Sequence, residues 1–268
     1  VINNRCKIVT ENKTASPDTD TMEKVIVVSA LLSKMNFTWY NEPKKWSSNE
    51  TTINVHTDGN TDFWRKTHYG FERDSGHFYY QSLPGDHSFT ATVNIRGNYH
   101  TLYDQGGLML RTDEKNWIKC GVEYVDDQQF ASVVVTVNGW SDWSVVSIKA
   151  PEVLKLRVRR VKEAVHIEFA EGEEGDFKMM RLAYLPVIDN SQAMMVGIMC
   201  ASPVEDAEGF DISFEGLTIV ENPYTSESVR NSTNLKNYPQ WEFFQLRFLK
   251  VDEDNKTLKH TSTPPDIF

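Results

Sequence analysis

Between Trp117 and Glu123 the chain reads WIKCGVE. Side chains alternate between the two faces of a strand. Trp117, Lys119, Gly121 and Glu123 therefore share one face, while Ile118, Cys120, Val122 and Tyr124 share the other. An indole, an ammonium and a carboxylate on one face suit a polyhydroxylated ring, because indoles stack on the apolar faces of sugars and carboxylates accept hydrogen bonds from hydroxyls. Three other stretches set an acid beside aromatic or glycine residues: DFWR with Asp62, Trp64 and Arg65, YDQGG with Asp104 and Gln105, and SDWS with Asp142 and Trp143. With Trp46 from KKW they complete a candidate ligand-binding set, Trp46, Asp62, Trp64, Arg65, Asp104, Gln105, Lys119, Glu123, Asp142 and Trp143. The same residues admit a plain packing role, in which Trp64, Trp117 and Trp143 fill the core and Lys119 pairs with Glu123 along one face.

The same carboxylates raise the question of catalysis. A retaining glycosidase needs two carboxyl groups about 5 Å apart. Glu123 stands alone on its strand, with Val125 two residues on, so its partner must come from a neighbouring strand. Asp104 and Asp142 are the candidates. Metal and cofactor chemistry lacks a pattern: the seven histidines form neither H-x-H nor H-E-x-x-H, the three cysteines form no C-x-x-C, and EGEEGD at 171–176 lacks the register of a calcium loop. No G-x-S-x-G or phosphate-cradling glycine loop occurs either, and Gly106-Gly107 reads as a place where strands approach closely. No metal and no cofactor is expected.

These residues need strands to position them. Residues 101–144 read as three consecutive antiparallel strands leading into a fourth, broken at RTDEKN, at Asp126-Asp127 and at Asn138-Gly139, the last being a type I′ hairpin signal. Phe89, Ala91, Val93 and Ile95 alternate with Thr90, Thr92, Asn94 and Arg96. Further strands are expected over 51–57, 77–81, 154–161, 165–169, 177–184, 194–200 and 209–220, the last with a β-bulge near Gly216 because its apolar parity switches there. Roughly a dozen short strands with regular turn signals and almost no helical period predict an all-β sandwich. Residues 1–24 read as a polar tail, 25–221 as the sandwich with Val25–Leu32 as a strand, and 222–268 as a linker and C-terminal extension. Within that extension WEFFQLRFLKV at 241–251 is apolar enough to dock as helix or strand.

The chain of 268 residues is 40% hydrophobic, 25% charged and 12% aromatic, with a formal net charge of −10. That charge argues against nucleic-acid binding, which needs basic patches. No run of about 18 apolar residues is present, so no membrane span is expected. Cys120 and Cys200 read as small buried hydrophobes, and an odd number of cysteines without a framework points to a cytoplasmic, reducing compartment. Five N-x-[ST] sequons, at Asn12, Asn36, Asn49, Asn231 and Asn255, acquire meaning only on secretion.

Taken in order, WYNEPKKW, TDFWRKTHYGF, GHF, YDQGGLMLR, WIKCGVEY, SDWS, LRVRR and VGIMCASP resemble a regulation-of-enolase-like family of domains of unknown function. The likeness covers about residues 37–221. It implies a concanavalin-A-like jelly-roll sandwich of two antiparallel sheets, of the lectin/glucanase kind, with one concave face. The family takes its name from a regulatory link to enolase and is assigned no catalytic activity. The glucanases of this fold carry their acids on one strand as E-x-D-x-x-E, which this chain lacks. The expectation is thus a non-catalytic binding module whose concave face holds a carbohydrate or a protein ligand, with possible regulation of a metabolic enzyme, and a glycoside hydrolase using paired carboxylates is the alternative.

Overall fold

The computed structural model describes residues 37–186 and 191–221. Among these residues every regular element is a strand, and fourteen of the sixteen strands form two seven-stranded antiparallel sheets. Sheet A runs, edge to edge, β1 (Thr38–Tyr40), β6 (His77–Pro84), β15 (Ala193–Ala201), β8 (Gln105–Asp113), β9 (Asn116–Val125), β10 (Gln128–Val137) and β11 (Trp140–Ser147). Sheet B runs β14 (Lys178–Tyr184), β13 (Ala164–Glu171), β12 (Leu154–Val161), β7 (Phe89–Gly97), β16 (Asp211–Glu221), β3 (Thr52–His56) and β2 (Lys45–Ser48). A small hairpin, β4 (Phe63–Arg65) with β5 (Glu72–Asp74), stands apart from both. The expected strand at Val25–Leu32, the sandwich boundary at 25 and the segment 241–251 lie outside the described residues.

Alternation decides what the sheets bury. Along β7, Phe89, Ala91, Val93 and Ile95 are buried and Thr90, Thr92, Asn94 and Arg96 are not. They meet Ile118, Cys120 and Val122 of β9 and Val133 of β10 in the core between the sheets, each large aliphatic contributing about 1.5–3 kcal/mol on burial. Two hairpin turns set the register of β9, β10 and β11. Asn138 and Gly139 have φ of 54° and 78°, and Asp126 and Asp127 have 48° and 60°, the paired left-handed conformations of a type I′ turn. The bulge of β16 falls between Glu215 and Thr218, with Gly216 at φ 63°.

Sheet A has a second buried layer on its outer face. Phe63 of β4 packs with Phe78, Met109, Trp117, Val134 and Met199, all outward-pointing residues of sheet A. The sequence admits either an open face or a packing role for Trp117. In the structure it is fully buried beneath the hairpin, with Phe63 edge-on at 6.3 Å. Polar clamps hold the hairpin down. Arg111 donates to both oxygens of Asp74 at 2.5 and 2.9 Å, and the Tyr40 hydroxyl adds a third bond at 2.7 Å. Burial alone would raise the Asp74 carboxyl, but Arg111 and Tyr40 hold it below its ordinary value.

Candidate functional site

Where the hairpin stops covering sheet A, a cavity of about 270 Å³ remains. Its floor comes from two paired strands, with Gln105 of β8 directly opposite Glu123 of β9. Lys119, two pleats along β9, reaches under the edge of the hairpin. Its ammonium donates to Gln105 Oε1 at 2.6 Å, the Phe63 carbonyl at 2.8 Å and Asp62 Oδ1 at 3.2 Å. The same Asp62 oxygen accepts from the Phe63 N–H at 2.8 Å and from Gln105 Nε2 at 3.4 Å. All three ammonium protons of Lys119 thus have acceptors. The expected parity holds, with Cys120 and Val122 sealed behind on the core side. Water, however, hardly reaches the pair: Lys119 is 5% and Glu123 7% exposed.

The Glu123 carboxyl accepts at Oε2 from Ser132 Oγ at 2.5 Å and Trp143 Nε1 at 2.9 Å. Trp143 Nε1 also lies 3.0 Å from Ser132 Oγ, so the indole is pinned in one orientation. Burial pushes Glu123 up, and Asp62 adds to the rise; Lys119, Ser132 and Trp143 offset part of it. Between Gln105 and Met109 the floor is flattened at Gly107, paired with Gly121 across the ladder. A Cβ on Gly107 would come within 1.8 Å of the Cys120 carbonyl oxygen, which is the close strand approach expected there.

Aromatic rings form the walls. Trp64 meets Tyr69 edge-on at 5.8 Å, Tyr69 stacks on Phe71 at 5.3 Å, and Tyr103 stands at 82° to Trp143 at 6.3 Å. The hydrogen bond between the Tyr69 and Tyr103 hydroxyls pushes Tyr103 up to about 12. The loops carrying these rings are conformationally costly. Asn60, Lys66, His68 and Tyr103 all have positive φ, from 54° to 66°, at about 1–3 kcal/mol each, a form of strain that gathers at functional sites.

Of the residues singled out from the sequence, Asp62, Trp64, Gln105, Lys119, Glu123 and Trp143 line this one cavity. The other four do not. Trp46 sits at the edge of sheet B, packed edge-on to Trp39 at 5.3 Å, with its indole N–H on Glu42. Arg65 lies under the hairpin, paired with Glu72 and Glu114. Asp104 has the opposite parity to Gln105, and its carboxylate closes a turn by accepting from the N–H groups of His100 and Thr101 and from Ser202 Oγ. Asp142 likewise has the opposite parity to Trp143 and pairs with Arg181 at 3.0 Å. Neither acid approaches Glu123 as a second catalytic carboxyl. The sequence reading missed Tyr69, Phe71, Arg73, Leu102, Tyr103 and Ser132. Ser132 had a signal, since it is a small hydroxyl in the apolar run FASVVVTV at the parity of Phe130 and Val134. A broader depression of about 760 Å³ lies near Trp46, His56 and Arg96. Its charged groups satisfy one another, as His56 with Asp211 at 2.7 Å and Arg96 with Glu152 at 2.6 Å, and it lacks a buried polar floor.

Comparison with known proteins places the chain. Residues 39–222 match the family described as "Protein of unknown function (DUF1349)". The chain is 37% identical over 178 residues to "Regulation of enolase protein 1" of Saccharomyces cerevisiae, spanning 66% of this chain and 85% of that protein. A solved structure of a functionally unknown protein from Saccharomyces cerevisiae superposes with a TM-score of 0.64 at 35% identity, over 70% of this chain and 97% of the other. The glycoside hydrolase family 43 protein BlXynB of Bacillus licheniformis is similar in fold alone, with a TM-score of 0.52 at 15% identity over 69% of this chain and 37% of that one. The chain belongs to the DUF1349 family, the regulation-of-enolase-like β-sandwich proteins.

Proposed function

We propose that the protein is a non-catalytic binding module that holds a carbohydrate unit in the cavity on the outer face of sheet A. One observation carries the reading. A buried polar floor of Asp62, Gln105, Lys119 and Glu123 is surrounded by aromatic walls, and one of the two indoles among them, Trp143, is locked in place while remaining 37% exposed. A pinned indole with one free face is a platform for the apolar side of a pyranose, and the floor offers carboxyl and amide groups to its hydroxyls. Little conformational freedom remains to be lost on binding. A hydrolase reading needs a second carboxyl about 5–9.5 Å from Glu123 in an acid or base role. Asp104 and Asp142 are turned away, and Asp62 is engaged by Lys119.

The kinship with a protein named for regulation of enolase supports a second reading, a protein ligand on the same face and control of a metabolic enzyme. A glycan array probed with the full-length protein separates the two. The carbohydrate reading expects a defined set of bound glycans, with Trp143→Ala lowering affinity about tenfold or more. An empty array, together with one protein partner recovered in a pull-down that Trp143→Ala abolishes, would replace it with the second.

A further inference from the structure

We infer that the sugar unit taken by this cavity bears a free amino group, docked as an ammonium against Glu123 in the corner between Trp143 and Tyr103. The inference rests on the carbohydrate reading above and narrows it to amine-bearing glycosyl units.

The first support is an unbalanced group. Glu123 is buried, and among the described residues it forms no ion pair. Its hydrogen bonds, from Ser132 and Trp143, go to Oε2, and Oε1 has no hydrogen-bond partner among the described residues. The cation within reach, Lys119, is saturated by Gln105, Phe63 and Asp62. Its charge is balanced by Asp62 at 3.2 Å. A buried carboxyl left out of an ion-pair network is favoured in its protonated form, and it gains an ion pair only when a cation reaches it from outside.

The second support is the walls. Tyr103 and Trp143 meet nearly at a right angle, and the Tyr69 hydroxyl adjoins that of Tyr103. Ring faces attract cations, most strongly where water is excluded. The outer face of sheet A already uses this chemistry internally, with Arg111 over Tyr40 at 4.5 Å, Arg73 over Phe71 at 5.2 Å and Lys66 over Trp140 at 5.7 Å. In the corner above Glu123, by contrast, the described residues supply rings and a carboxyl, and the cations that line the same cavity, Lys119 and Arg73, are bonded elsewhere. Arg73, which also lines the cavity, is held by Asn60 Oδ1 at 2.8 Å and the Pro203 carbonyl at 3.3 Å.

The titratable and charged groups around Glu123 are Lys119, Asp62, Tyr103, Tyr69 and Arg73. Burial favours the protonated carboxyl, and an arriving ammonium favours the carboxylate. Binding therefore shifts Glu123 toward the carboxylate, and the proton given up in that shift passes to solvent.

The test is calorimetric titration of the full-length protein with β-1,4-linked oligomers of glucosamine, N-acetylglucosamine and glucose of equal length. It is run at a pH where the glucosamine amines are protonated and repeated in two buffers of different ionisation enthalpy. The glucosamine oligomer is expected to bind about tenfold or more tightly than the other two, with a heat that depends on the buffer. Glu123→Gln, which keeps both acceptor contacts, should remove the preference and the buffer dependence together. Tyr103→Leu should reduce the preference severalfold. Because the unmodified protein already decides between the three sugars, a variant that fails to fold leaves the test intact. Equal binding of all three, or a preference for the acetylated oligomer, overturns the amine while leaving the carbohydrate reading standing. Binding of none of them overturns the amine, and an empty glycan array is then what overturns the carbohydrate reading with it.

Discussion

Removing the Lys119 side chain would strand Asp62 in the interior with only the Phe63 N–H and Gln105 amide for company. Lys119→Met is therefore expected to destabilise the protein by about 3–5 kcal/mol, read as a lower urea midpoint at unchanged slope; a loss below about 1 kcal/mol would show that the network is dispensable. Glu123 behaves in the opposite sense. Its pKa is raised by burial, so it contributes fully below the ordinary value of 4.5, and that contribution is lost as pH rises through the folded-state value. Glu123→Gln should accordingly match the parent in acid and exceed it in melting temperature at neutral pH, since glutamine can still accept from Ser132 and Trp143. Much of the site was legible from parity on β9. Three of the four residues outside the cavity, Arg65, Asp104 and Asp142, are chain neighbours of residues that line it, and Trp46 belongs to sheet B. Asp104 precedes Gln105 and Asp142 precedes Trp143 along strands, so the two members of each pair cannot both face one cavity.

At the level of elements, two glycines separate conformation from space. Gly216, at the bulge of β16, has φ 63° and open surroundings. Gly216→Ala should cost about 1 kcal/mol through the left-handed backbone alone. Gly107→Ala drives its methyl into the Cys120 carbonyl across the ladder and should disrupt folding, seen as loss of the cooperative melting transition. A second device ties loops to β6. His77 Nδ1 donates to the Asn41 carbonyl at 2.7 Å, and its Nε2 accepts the Asp58 N–H at 3.0 Å. Burial depresses the His77 pKa from 6.5, so its contribution is complete above that value and is lost as pH falls toward the depressed one. Melting temperature should fall on acidification below about pH 6.5, and less steeply in His77→Gln, with Asp58 and Lys44 as the nearby charges. The long strands could be read from the sequence because their alternation runs over eight or more residues. The β4–β5 hairpin could not, since three residues per strand are too few to show a period. Without that hairpin the sequence predicts an outer face of sheet A open beside Lys119 and Glu123, and it admits either packing or exposure for Trp117.

For the whole molecule, the decisive fact is the order in which the sheets are completed. Neighbours along the chain pair readily in β8 to β11, and that run was recognisable from its turn signals. The placing of β15 between β6 and β8, and of β16 between β7 and β3, has no signature in local sequence because it joins residues far apart along the chain, such as Ile198 with Tyr79 and Phe214 with Ile53. Long-range pairing of this kind puts refolding on the order of milliseconds to seconds. It also has a consequence for the chain as it leaves the ribosome. Until Ala193–Ala201 and Asp211–Glu221 emerge from the exit tunnel, both halves of the nascent protein carry raw strand edges with nothing to pair them. A translational pause upstream of Ala193 thus leaves a sticky intermediate for chaperones to shield, and the cavity on sheet A is walled only when Pro203 and Val204 follow β15 out.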